Sequence, residues 1–396
     1  NTTASNNTAL GYAALNANTT GSENTALGVN ALVANTTGHH NQAIGYNCMD
    51  ANTVGRHNTA IGRDALGANT TGSLNLSIGS YTLSTQTGAD NNIAVGYGAL
   101  YANTTGANNV GVGVSALVAN TTGVQNTAVG TLSLDANTTA NNNTALGFEA
   151  LTANTTGASN TALGSQALEA NTDGNNNTAV GYLALFANTS GSTNTSVGDN
   201  SSVSNTTGSD NTVVGQFAFY TNTTGSDNCA FGAHALDANT DGSENVAIGR
   251  HALADNTTGN SNVAIGHQAL DDNTTASGNV AIGNHACMNN HNGSNLVAVG
   301  DQALETLGTS SSNNTAIGAH AMQAATTAEY CVAVGSQAMD AHTTGNYLVA
   351  VGHNALGANT TASNNTALGD RTLQANTTGS ENVAVGGLAL YTNNAS

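Results

Sequence analysis

Residues 7–28 read NTALGYAALNANTTGSENTALG, and their reading decides the fold. The motif Asn-Thr-Ala-Leu-Gly closes at Gly11 and again at Gly28, which sets a 17-residue step. The same step continues through Gly45, Gly62, Gly79 and onward to Gly300. The interval from Gly300 to Gly318 is one position longer, after which the regular step resumes to Gly386. The whole chain falls within 23 such copies, so the expectation is one repeat domain over 1–396, with a one-residue insertion within 301–318. A fixed short period of this kind marks stacked coils, each of which buries its apolar face only against its neighbours.

Within a unit the apolar positions alternate with period two, in short segments between Gly and Asn/Thr clusters. Asn, Thr and two Gly per unit are poor helix formers. The chain is therefore expected to be all-β, a parallel β-solenoid (β-roll) of 23 coils, one coil to each 17-residue unit. At an inter-strand spacing of about 4.8 Å the stack would run on the order of 110 Å.

Two small-then-large pairs recur. The residue before the strand Gly is aliphatic or Phe, as in Leu10, Ile44, Val95 and Phe231, and the one before it is small, as in Ala9 and Ala43. Three and four positions after the Gly a second pair follows, as in Ala14–Leu15 and Ala65–Leu66. Read as strands, both segments are apolar on both faces. Either the large residues fill the coil and Ala forms a flat outer wall, or Ala lines a narrow interior and the Leu/Ile/Val column faces out. Both arrangements leave an apolar surface suited to self-association.

Composition agrees with a thin stack. Hydrophobic residues make up 39% and aromatics 4% of the chain, so the core must be small aliphatics. There is no Pro, Trp or Lys; the four cations besides His are Arg56, Arg63, Arg250 and Arg371, and the net charge is −19. A basic groove for nucleic acid is excluded. Pro would delete a bond in each ladder, and columns of like charge would repel at strand spacing. No apolar run reaches the roughly 18–20 residues of a membrane-spanning helix. The sequence opens at Asn1 without Met, as expected of a processed or truncated piece.

The units NTALGYAALNANTTGSE (7–23) and NTALGSQALEANTDGNN (160–176) resemble the head repeats of YadA-like trimeric autotransporter adhesins. They are similar also to the NTAIGYQAL-NTTG repeats of phage tail-fibre-like and other bacterial surface fibre proteins. The resemblance covers the whole chain. It implies a left-handed β-roll, a homotrimer or end-to-end filament, an adhesive role on a cell or virion surface, and a cell-surface glycan or protein receptor. The uniform 17-residue unit departs from that pattern, and no coiled-coil stalk, membrane anchor or C-terminal chaperone domain is recognisable.

Candidate chemistry follows the columns of the repeat. The Asn opening each NTT turn forms an Asn-x-Thr pattern at Asn18, Asn35, Asn69, Asn103, Asn120, Asn137, Asn154, Asn205, Asn222, Asn256, Asn273, Asn359 and Asn376. A stacked column of this kind makes an amide ladder; the same pattern is a glycosylation acceptor that would sheath one edge in sugar. Paired Thr such as Thr19 and Thr20 raise an ice-binding surface as the alternative function. However, adjacent turn Thr diverge, and the strand Thr becomes Val at Val246, Val263 and Val280.

His234 and His251 share a column with His285 and His320, with Gln268 and Gln302 between them. With no carboxylate or Cys completing a set, the reading is a solvated polar face. Acidic residues five after the Gly (Asp50, Asp135, Glu169, Asp237, Asp271, Glu305, Asp340) read as a solubilising stripe. Cys48, Cys229 and Cys287 read as buried thiols in the strand columns, and Cys331 takes the slot of an Asn; their separation precludes intrachain pairing. No catalytic constellation, cofactor motif or metal set is read, and the expected protein is non-enzymatic. Residues Glu305–Ser312, which replace one NTTG turn, are expected to protrude as a loop. The ends, Asn1–Ala4 and Asn393–Ser396, stop mid-unit and are expected either to stack end to end or to adjoin further chain.

Overall fold

The computed structural model describes residues 3–308 and 311–392. The described residues contain no helix, and each repeat contributes one short strand. The fold is an all-β parallel solenoid in which each 17-residue unit forms one coil. The chain divides into two compact units, Asn1–Asn194 and Thr195–Ser396, built on the same coil. In the first, β1 (Thr8–Leu10) to β11 (Thr178–Val180) lie parallel without shift, with Thr8 against Thr25 and Leu10 against Leu27. In the second, β12 (Thr195–Val197) to β23 (Val383–Val385) repeat the pattern. Register survives the lengthened step, where Val297 pairs with Thr315.

The coil beginning at Gly28 shows how the backbone is satisfied. The N–H groups of Leu32, Ala34 and Thr36 donate to the next coil, at Cys48, Asp50 and Thr53, over 3.0–3.1 Å. Those of Ala31, Val33 and Asn35 close turns onto the residue three earlier in their own coil, at 3.2–3.4 Å. This alternation requires a left-handed residue at every second position, and Asn30 and Leu32 have φ of 59° and 51°. A non-Gly residue there costs roughly 1–2 kcal/mol, and the hydrogen bonds of a fully paired buried backbone offset it.

The second small–large segment is consequently a turn and not a strand, which corrects the sequence reading. Its left-handed Leu turns inward beside the preceding Ala, so Ala31 and Leu32, like Ala65 and Leu66, are both fully buried. In the true strand the alternation holds in the second of the two expected senses. Ala26 is buried, whereas Leu27 before the Gly is 42% exposed. The core of each unit is thus a column of strand Ala packed on turn Ala and Leu. Where the inward column changes size, its neighbours compensate. Phe219 stands one coil beyond Ser202, and Ser196, Ser201 and Ser202 beside it hydrogen-bond to one another at 2.7 and 3.2 Å.

The strand Gly has a steric cause. Gly28 has φ of +138°, and a Cβ there would run into the carbonyl of Gly45 in the next coil. The repeat is therefore punctuated by Gly because the backbones meet at that point.

The inserted residue of the long step falls at 309–310, outside the described residues, as do Asn1, Thr2 and 393–396. On either side the chain stays in the coil: Gly308 donates to Thr326 at 2.8 Å, and Leu307 and Ser311 are buried.

Candidate functional site

Three regions carry chemistry: the outward sheet face, the buried amide ladders and the polar turns. On the outward face each strand presents its first and third residues. The third forms an exposed aliphatic column, with Leu163 at 42%, Ile248 at 40% and Ile317 at 40% exposure. From β15 (Val246–Ile248) to β17 (Val280–Ile282) the first residue is also apolar, so Val246, Val263 and Val280 stack in register beside Ile248, Ile265 and Ile282. In the first unit the residue after the Gly extends the face with Tyr12, Tyr46, Tyr97, Phe148 and Tyr182, all exposed. Arg63 lies over the Tyr46 and Tyr81 rings at 5.8 and 5.6 Å. Gly98 opens a notch there, lined by Tyr81, Tyr97, Tyr101, Ser115 and Val118.

The Asn columns lie inside the coil. Asn35 donates from Nδ2 to Gly38 O and to Asn18 Oδ1, each at 2.9 Å. The Asn before each strand forms a second ladder: Asn41 donates to Gly55 O at 2.8 Å, and its backbone N–H donates to Asn24 Oδ1 at 2.9 Å. All thirteen Asn-x-Thr asparagines, from Asn18 to Asn376, are buried. A sugar on Nδ2 would replace an N–H aimed into the core and has no room in the folded coil. The Thr after each Asn is also committed, as Thr36 Oγ1 donates to Thr53 O and Thr53 Oγ1 to Thr70 O, both at 3.0 Å.

The polar columns are coupled rather than merely solvated. The residue two after the Gly bonds the one five after it: His234 Nδ1 meets Asp237 Oδ2 at 2.8 Å, Gln268 donates to Asp271 at 2.8 Å and Gln302 to Glu305 at 3.2 Å. A carboxylate does therefore stand beside the His234–His251 stack, whose ring centroids are 5.0 Å apart. His285 and His320 bond Gln268 and Gln323. Burial raises the carboxyls of Asp50, Asp135, Glu169, Asp271 and Asp340 above the usual range.

The four thiols are free. Burial pushes Cys48 and Cys287 up to about 12 and Cys331 to about 11. Cys229 departs from the expectation. As the first residue of β14 (Cys229–Phe231) it faces outward and is only partly buried. Cys331 and His342 replace ladder asparagines, and both point to Gly345 O, the ring from Nε2 at 2.8 Å.

One cluster has no counterpart among the sequence expectations. His39, His40 and His57 each offer a ring nitrogen, all within 4.8 Å of one another. Its signal in the sequence is a His pair followed one period later by a third His, in columns that otherwise read only as turn.

No protein-family model matches the chain, and no curated protein matches its sequence. The fold defines the class, a β-solenoid repeat protein.

Proposed function

We propose that the protein is a structural fibre element of a cell or virion surface, whose outward sheet face associates with further copies of the chain. The observation that carries this reading is the exposed aliphatic column repeated along both units, with Val246–Ile248, Val263–Ile265 and Val280–Ile282 stacked in register. Isolated exposed apolar residues are ordinary, but a continuous flat apolar face on a sheet calls for a partner. A second copy offers an identical self-complementary ladder, as symmetric oligomers require. The resemblance to trimeric adhesin heads supports three chains and an adhesive role, with the tyrosine notch at Gly98 as the receptor-facing feature: aromatic rings there can stack on a sugar. The ice-binding alternative needs a free Thr array, and the first Thr of the turn pair is already engaged by a carbonyl, as at Thr36.

Sedimentation equilibrium of the full chain tests the reading. A mass that is a multiple of 39.1 kDa is expected, falling to one chain when Ile248, Ile265 and Ile282 are replaced by Asp. A monomer at all concentrations overturns it.

A further inference from the structure

We propose that His39, His40 and His57 form a binding site for one divalent transition-metal ion of the Zn²⁺ class, oriented by Glu23. Glu23, His40 and His57 occupy one slot in three successive coils, and His39 precedes His40. The backbone fixes their spacing, since His40 N–H donates to Ser22 O and His57 N–H to His39 O, both at 3.1 Å. The His40 and His57 rings are stacked at 4.8 Å and 13°, and His39 stands edge-on to both at 5.2 and 5.9 Å.

Tautomers decide what the cluster can do. His40 Nδ1 is held by Glu23 Oε2 at 3.0 Å, and His39 Nδ1 faces Thr37 O at 3.4 Å. An acceptor at Nδ1 places the proton there and leaves the Nε2 lone pair free. A carboxylate–histidine pair of this kind orients imidazole ligands in metal sites. Three neutral imidazoles without a thiolate suit Zn²⁺, Ni²⁺ or Cu²⁺ rather than Ca²⁺ or Mg²⁺.

Metal–nitrogen bonds of about 2.0–2.1 Å require the three nitrogens to close to about 3.3 Å. Rotation of His40 and His57, both exposed, supplies that movement. Positions beyond the three nitrogens face solvent, so water completes the shell. Arg56, beside His57, opposes a cation, and Glu23 offsets it.

The test is calorimetric titration of the tag-free full chain with ZnCl₂, repeated with CaCl₂. Saturable binding of Zn²⁺ and none of Ca²⁺ is expected. His57→Asn should weaken binding at least about tenfold, and Glu23→Gln by about 10-fold or more. Asn is the repeat's own residue in that slot at Asn91, Asn108 and Asn142, so the coil is retained, and unchanged circular dichroism checks it. Absence of Zn²⁺ binding, or binding unaltered by His57→Asn, overturns the proposal.

Discussion

Asn52 donates from Nδ2 to Oδ1 of Asn35 in the preceding coil at 2.9 Å, with both side chains fully buried. Bonds of this kind link the amides of successive coils into a column, in which a side chain is donor to one neighbour and acceptor from another. Amides fit because they satisfy both demands while remaining neutral.

Asn120→Asp should therefore be severe. Its Nδ2 donates to Asn103 Oδ1 and Gly123 O at 2.9 and 3.1 Å, and a carboxylate would face two acceptor oxygens. A loss of about 3 kcal/mol is expected, read by urea unfolding and by faster amide exchange in the adjoining coils. The column also carries a natural fault. Gln86 turns its Nε2 to Ala89 O, leaving Asn69 Oδ1 buried without a partner. Gln86→Asn should stabilise by about 1 kcal/mol.

The strand Gly gives a sharper steric contrast. Gly45→Ala would drive a Cβ into the Gly62 carbonyl at φ of +144°, costing about 2–6 kcal/mol. Gly67→Ala, whose Cβ would meet nothing nearer than 3.4 Å, should be neutral or gain up to about 1 kcal/mol. Paired thermal melts of the two variants check this.

His342 makes its coil acid-sensitive. Its Nε2–H donates to Gly345 O at 2.8 Å, and its Nδ1 is buried beside Asn359 in the same column. Burial lowers the imidazole below its ordinary 6.5, so the folded state binds fewer protons than the unfolded chain. Stability contributed at neutral pH is lost as pH falls below about 6.5 and on through the folded value. His342→Asn should flatten this limb in melts between pH 7 and pH 5; an unchanged limb contradicts it.

Asp135 acts in the opposite sense. Its Oδ1 is buried without a partner, and burial raises the carboxyl, with Glu149 adding repulsion. The folded state holds that proton more tightly, so stability is greatest below the ordinary 3.8 and declines as pH rises through the folded value. Asp135→Asn should raise the melting temperature at pH 7 and leave it unchanged at pH 3.

The period, the parallel register and the Asn ladder were legible because stacking imposes them on every coil alike. What the letters concealed was direction. Alternation predicts that Ala14 and Leu15 point oppositely, but Leu15 has φ of +53°, and a left-handed residue cancels the alternation. Nothing in the residue type signals this, since Leu rarely adopts that conformation. That inversion puts Leu32 inside after the Gly, whereas ordinary strand alternation leaves Leu27 outside before it. The His39–His40–His57 cluster escaped because it spans two columns, and scanning one column at a time separates its members.

The inside–outside assignment of the coil underlies every surface described, and thiol alkylation tests it most directly. On a chain carrying Ile248→Asp, Ile265→Asp and Ile282→Asp, with the sheet face uncovered, mass spectrometry after brief alkylation should find Cys229 modified. Cys48, Cys287 and Cys331 should stay protected until urea is added. Modification of Cys48 or Cys287 at the unfolded rate, with Cys229 protected, would contradict the account.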